Sequence, residues 1–372
     1  MTKIPWYIWL SILGVTSATI GGHWDISWHR SIGRDSFWTA PHLAIQLCGV
    51  IAGITCGYLI LWTTFTHSHL RKASVNVLGF RGPLGAFICA WGGFTMITSA
   101  PFDDWWHNAY GLDVKILSPP HVALAIGLVA VEIGAMVLIA AGMNRSSGQT
   151  RRHLEWLLLY VNGMILVELL TAVLELTNRS FLHTAICYRA VCIVTPIVLA
   201  IAARATGLRW AATTVSAVYT AFILGLLWIL PRFPAQPKLG PVMREVTQFI
   251  PADFPLLVLI PALVLDLAWL RTAHWGKWKQ AVVSGALFMA VMAPVEWLFA
   301  DFLQSPLARN AFFGTIYLDY FQSPQGYAAT YRFVPYETAA QFRVGMAIAL
   351  ACAMVSVWLG MGAGDWLKRV RH

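Results

Sequence analysis

Two short stretches of the chain hold metal-binding residue types at matching spacing. Residues His23 to His42 read HWDISWHRSIGRDSFWTAPH, and Asp103 to His121 read DDWWHNAYGLDVKILSPPH. Asp25, Trp28, His29, Gly33, Asp35 and Pro41-His42 align with Asp103, Trp106, His107, Gly111, Asp113 and Pro120-His121, with one inserted residue. In short form the copies read D-x3-H-x12-H and D-x3-H-x13-H. Seven identities across one gap mark a duplicated motif. Two imidazoles and one carboxylate form an open ligand set, since three protein ligands leave coordination positions free. Such a set suits copper, zinc or non-haem iron. Asp25, His29 and His42 are the candidate ligands of one ion, and Asp103, His107 and His121 those of a second. Five of the seventeen carboxylates of this basic chain (Asp25, Asp35, Asp103, Asp104 and Asp113) fall in these two segments, as a bound cation would favour. Asp35, Asp113, His23 and Asp104 are candidates for supporting the ligands from behind.

The elements that must position these residues are membrane helices. The chain of 372 residues is 58% hydrophobic and only 12% charged, where a soluble domain carries about 25% charge. Apolar residues come in runs of about 18–24, the length that crosses a bilayer. Many of the 18 tryptophans flank these runs as an aromatic belt would. The expected fold class is all-α, a polytopic membrane bundle of about ten helices. The spans cover roughly 5–22, 41–64, 84–101, 119–142, 154–177, 185–205, 211–231, 255–271, 281–303 and 342–364. A four-helix region with the tandem motifs, 1–142, is followed by a six-helix region, 143–372, with two long loops at about 232–254 and 304–341.

Asp25 and His29, like Asp103 and His107, are four apart, which on a helix puts both side chains on one face. His42 and His121 each follow proline, which favours the first turn of a helix. Each motif therefore leaves one membrane helix, turns at Gly33 or Gly111, and re-enters the next, where its last histidine can close on the Asp/His pair. The short basic connections around Lys3, Arg71–Arg81, Arg145–Arg152, Arg204–Arg209, Arg271–Lys279 and Lys368–Arg371 belong in the cytoplasm by the positive-inside rule. Both termini are then cytoplasmic, and both motifs lie at the outer face of a bacterial or archaeal cytoplasmic membrane.

Other features carry less chemistry. Glu132, Glu168, Glu175, Asp266 and Glu296 fall in expected spans, as does Arg189. Ionisable groups at membrane depth are functional candidates, and a buried acid paired with Arg189 is the plainer reading. Glu132 lies eleven residues, about three turns, from His121 on the same face of its helix, and could extend a polar path inward. The long outer loops, rich in aromatic residues and proline, could cap a site or dock a partner. The six cysteines lie in or beside apolar runs without a CxxC, so no disulfide framework is implied. Phosphate-loop, nucleophile-elbow, dinucleotide-binding and CxxCH haem signatures are missing, and so is a basic tract for nucleic acid. His67 and His69 stand beside Arg71 and Lys72, where a solvated pair is expected.

D-x3-H-x12-H, followed by a polar residue-x3-H-x13-H, resembles the C subunit of the copper membrane monooxygenases, the family of particulate methane and ammonia monooxygenases. The resemblance covers roughly residues 1–142. It implies one copper at Asp25, His29 and His42 and another at Asp103, His107 and His121, with Asp103 standing where the family has asparagine. It further implies O2 activation, hydroxylation of a small apolar substrate, and work beside other membrane or periplasmic subunits. Electrons would come from quinol or a redox partner. The residues themselves leave three other readings open. These are a copper uptake or delivery protein serving a respiratory oxidase, a haem protein with His42 and His121 as axial ligands, and a non-catalytic accessory subunit anchored by interfacial Trp and His.

Overall fold

A computed structural model describes residues 4–33, 38–66, 69–110, 118–238, 245–320 and 337–372. Among these residues the chain is all-α apart from one short hairpin. The helices are α1 (Trp6–Ser31), α2 (Ala40–Phe65), α3 (Leu84–Tyr110), α4 (Pro119–Arg145), α5 (Gly148–Ala172), α6 (Leu174–Thr177), α7 (Ala185–Ala205), α8 (Ala211–Ile229), α9 (Leu259–Thr272), α10 (Lys277–Gln304) and α11 (Ala339–Leu367). Eight of them (α2, α3, α4, α5, α7, α8, α10 and α11) are long and apolar enough to cross a membrane, as in an integral membrane protein. The expected spans at 5–22 and 255–271 coincide with α1 and α9, which fall outside that set. α1 mixes Ser, Thr and Gly into its apolar run and ends in the polar motif. α9 has 14 residues and so measures about 21 Å, short of the ~30 Å hydrocarbon core.

The chain forms two compact units. The first holds α1 to α4, the start of α5, and the segments Pro234–Phe249 and Leu367–His372. Within it α1 packs on α2, α3 on α4, α2 on α3, and α1 on α4. These are two helical hairpins, one per copy of the motif. Gly21 sets the first hairpin's spacing. A Cβ there would sit 2.8 Å from the Ile45 amide nitrogen and 2.9 Å from the Pro41 carbonyl oxygen. Only a bare backbone lets α1 approach the first turn of α2 this closely, one turn before Asp25. The Ser17 hydroxyl ties the same two helices by donating to the Ala44 carbonyl at 2.8 Å. In the second hairpin Gly92 and Gly127 bring the α3 and α4 backbones together in the same way, as small residues do in membrane bundles.

The hairpin between α2 and α3 pairs β1 (Val75–Val77) with β2 (Phe80–Gly82). Its two-residue turn has positive φ at both Leu78 (50°) and Gly79 (89°), and the Asn76 side chain accepts from the Gly79 amide at 3.1 Å. Leucine rarely takes such a φ, so the sequence carried little sign of a hairpin here.

The second unit holds Ile165–Phe233 and Ile250–Trp366. Two of its buried acids serve backbone. Asp266 on α9 accepts from the Ala212 and Thr213 amides (3.2 and 2.8 Å) and from the Thr213 hydroxyl (2.7 Å), which caps the start of α8. Glu296 on α10 accepts from the Leu257 amide at 2.9 Å in the irregular segment before α9. Arg204 and Asp365 join α7 to α11 by two bonds of 3.0 and 3.1 Å.

Gly21→Ala and its neighbour Gly22→Ala should separate cleanly. A Cβ at Gly22 meets nothing within 4 Å, so that change should be neutral or stabilising by up to about 1 kcal/mol. Gly21→Ala must push α1 off α2 and should cost about 1–3 kcal/mol. Thermal unfolding of both variants in one detergent compares them directly, and equal melting would remove Gly21 as the residue that sets the hairpin spacing.

Candidate metal centre

Each triad is assembled by helix ends. Asp25 and His29 sit one turn apart near the end of α1, and Gly33, with φ 93°, ends that helix in a left-handed turn. Thr39 and Ser118 precede α2 and α4 in nearly the same extended conformation, with φ/ψ of −82/155° and −86/158°. Proline occupies the first turn of both helices, and His42 and His121 follow it. The structure thus places His42 and His121 at equivalent positions, facing the preceding helix. The turn expected at Gly111 lies outside the described residues.

In the first triad the carboxylate lies between two rings. His29 Nε2 is 3.3 Å from Asp25 Oδ2, and His42 Nε2 is 3.2 Å from Asp25 Oδ1. The second triad repeats this, with His107 Nε2 3.4 Å from Asp103 Oδ2 and His121 Nε2 3.5 Å from Asp103 Oδ1. The ligand atoms of each set lie within 4.8 Å of one another. A four-coordinate ion with bonds of about 2.0–2.1 Å separates neighbouring ligand atoms by about 3.3 Å. The observed N···O edges match that spacing, so both donor sets fit a metal ion. They do not discriminate which one.

The triads differ in exposure. His29 is the most open ligand at 39% and Asp103 the most buried at 12%. Burial acts to raise the Asp25 carboxyl, but the close approach of the His29 and His42 rings outweighs it and holds the group below the ordinary carboxylate range. An ionised Asp25 is the form that binds a cation.

The two triads are neighbours. A cavity of about 20 Å³ is lined by His42 of the first and by Asp103 and His121 of the second, together with Gln46, Ser99 and apolar side chains. It has room for one water. The sequence reading missed three groups here. Gln46 Oε1, Thr39 Oγ1 and Ser118 Oγ are buried without a hydrogen-bond partner among the described residues. Thr39 and Ser118 occupy matching positions of the repeat, and Ser or Thr before a helix-opening proline is a recognisable cap signal. Nothing in the sequence pointed to Gln46.

The supporting candidates have different fates. His23 is buried, with Nδ1 3.2 Å from the Thr19 carbonyl of its own helix, and burial pushes its imidazole down to about 4, so it is neutral. Asp104 is exposed and accepts from the Asn108 amide at 3.3 Å, so the structure does not bring it into the second triad. Glu132 is fully buried in α4. Asp35 and Asp113 lie outside the described residues.

Aromatic rings flank both sites. Trp28 packs on Trp24 and on Phe249, with centroids 6.5 and 5.9 Å apart. Phe102, Trp105, Trp106 and Tyr110 form a cluster on α3. Phe249 belongs to the first long loop, whose Lys238 amide also donates to the Ile32 carbonyl at 2.9 Å. Lys238 and Phe249 therefore lie at the motif end of α1. Comparison of the chain with protein-family models, curated proteins and solved structures finds no match.

His29→Ala should remove one equivalent of bound metal and His107→Ala the other, with helix content unchanged, because the ligands cap the hairpins and do not fill their cores. Asp103→Asn should keep a metal at the second site. Metal content of the detergent-purified variants, beside far-ultraviolet circular dichroism, reads all three. Full metal content in both histidine variants would show that the triads are not ligands.

Proposed function

We propose that this chain is an integral membrane copper protein, a monooxygenase or the metal-bearing subunit of one, that hydroxylates a small apolar substrate with O2. The observation that carries the reading is the pair of neighbouring Asp-His-His triads. Their spacing resembles the C subunit of the copper membrane monooxygenases, and their side chains converge at metal-ligand separations. In this reading Asp25, His29 and His42 hold one ion, and Asp103, His107 and His121 the second. Bound copper would supply the O2 activation. The chain's residues supply the rest. Each aspartate turns two imidazoles toward one point, three-ligand sets leave positions open for small molecules, and the Trp24, Trp28, Trp105 and Trp106 rings limit water. The substrate arrives through the bilayer, and electrons come from quinol or a partner subunit.

The proposed topology has ten spans, with α1 and the α9 region completing the eight long helices. Both termini are cytoplasmic and the triads lie at the outer face, a placement supported by the short Lys- and Arg-rich connections.

A second reading, copper uptake or delivery, draws on one observation. Cys48, Cys56, Cys89 and Met96 are fully buried inside the first unit. Thiol and thioether ligands suit Cu(I). Met96, however, also packs against Gly49 and Gly127 as helix-contact filling.

Copper-loaded membranes containing the protein and its partners should consume O2 with a reductant and release a hydroxylated product, detected by mass spectrometry. His29→Ala should abolish that product at unchanged protein level. Absence of product under every reductant, with an oxidase-assembly defect that added copper rescues, would replace the oxygenase reading by the delivery one.

A further inference from the structure

The second unit contains an arginine that makes no ion pair among the described residues. Arg189 lies in the second turn of α7, a helix long and apolar enough to cross a membrane. Its Nε is buried without a hydrogen-bond partner, and Arg189 forms no ion pair among the described residues. A cation at membrane depth calls for an anion. Residues 321–336, just before α11, contain no carboxylate. Glu337 is near, but its Oε2 accepts from the Ala185 amide at 2.8 Å and so caps the start of α7.

Arg189 opens into a cleft of about 460 Å³ between α7 and α11, within the ~300–1,000 Å³ of small-ligand sites. Its lining is ordered along the helices. Arg189, Gln341 and the starts of α7 and α11 supply polar groups and two positive helix ends, and the Glu337 carboxylate lines the same cleft while accepting from the Ala185 amide. Val344 and Ile348 follow Gln341 at successive turns of α11 and are 61% and 43% exposed. Exposed aliphatic side chains on membrane-crossing helices face acyl chains.

We propose that this cleft binds a phosphate-headed lipid. The phosphate sits on the Arg189 guanidinium, whose planar fork matches phosphate oxygens, and the Gln341 amide adds a donor. One acyl chain runs along Ile186, Val344 and Ile348. A free anion would gain nothing from those aliphatic walls. The site lies in the second unit, so it stands or falls separately from the metal reading.

The test uses the full-length protein, stripped of lipid in detergent and titrated with phosphatidylglycerol under native mass spectrometry. The wild type should retain one lipid at concentrations where a surface site would be empty. Arg189→Gln should weaken retention about tenfold or more, the expected loss of a charge-assisted bond. Val344→Trp, at an exposed position, should block the chain while leaving Arg189 in place, and so weaken the lipid but not inorganic phosphate. Melting temperature and metal content should stay as in the wild type, because neither substitution touches a triad. Equal lipid retention in all three proteins overturns the proposal. So does displacement of the lipid by inorganic phosphate with Val344→Trp unaffected, which would make the cleft a site for a soluble anion.

Discussion

The arrangement at the candidate centre depends on one carboxylate shared by two imidazoles from different helices. Asp25 faces His29 on its own helix and His42 across the turn, and Asp103 does the same with His107 and His121. The intrahelical half of each contact comes without cost, because residues four apart already share a face. The interhelical half depends on how close two backbones run. Gly21 fixes that distance in the first hairpin, and Pro41 and Pro120 fix where the second helix begins.

What the sequence made readable follows from the same distinction. The triads were legible because their spacing is local. An i, i+4 pair and a proline-led helix start place side chains without knowledge of the tertiary fold. Eight of the helices were legible because a bilayer demands long apolar runs. The run at 255–271 was legible as a helix but not its length, because nothing in the run reveals that helix begins only at Leu259. The Leu78-Gly79 turn was hidden because leucine is an unusual choice for a left-handed φ. Gln46 and the cavity joining the triads were out of reach because they exist only through the packing of α2, α3 and α4.

Duplication has produced two sites that are alike in ligands and unlike in surroundings. The position one turn before the aspartate is Gly21 in the first copy and Ser99 in the second. The position four after the last histidine is Gln46 in one and Ala125 in the other. Ser99 and Gln46 both line the cavity between the triads. The polar side chains that distinguish the copies therefore gather in the cavity that His42, Asp103 and His121 also line. A pair of identical sites would have no reason to differ there. The two donor sets therefore sit in unequal surroundings, and the cavity between them is lined by candidate ligands of both.

The second unit shows the opposite use of charge in an apolar setting. Three of its acids serve backbone: Asp266 closes the start of α8, Glu296 holds the segment before α9, and Glu337 caps α7. Arg204 meets Asp365, and Arg179 meets Asp253 at 2.6 Å under the Tyr320 ring. Each of these charges meets a group fixed by the fold, and a buried charge that is paired and hydrogen-bonded avoids the desolvation penalty of an isolated one. Where such pairing is the rule, a cation left open to a cleft stands out by its surroundings. A guanidinium cannot shed its proton to escape burial, so the proposed amphiphile would bring to Arg189 an anion that its own helix does not offer.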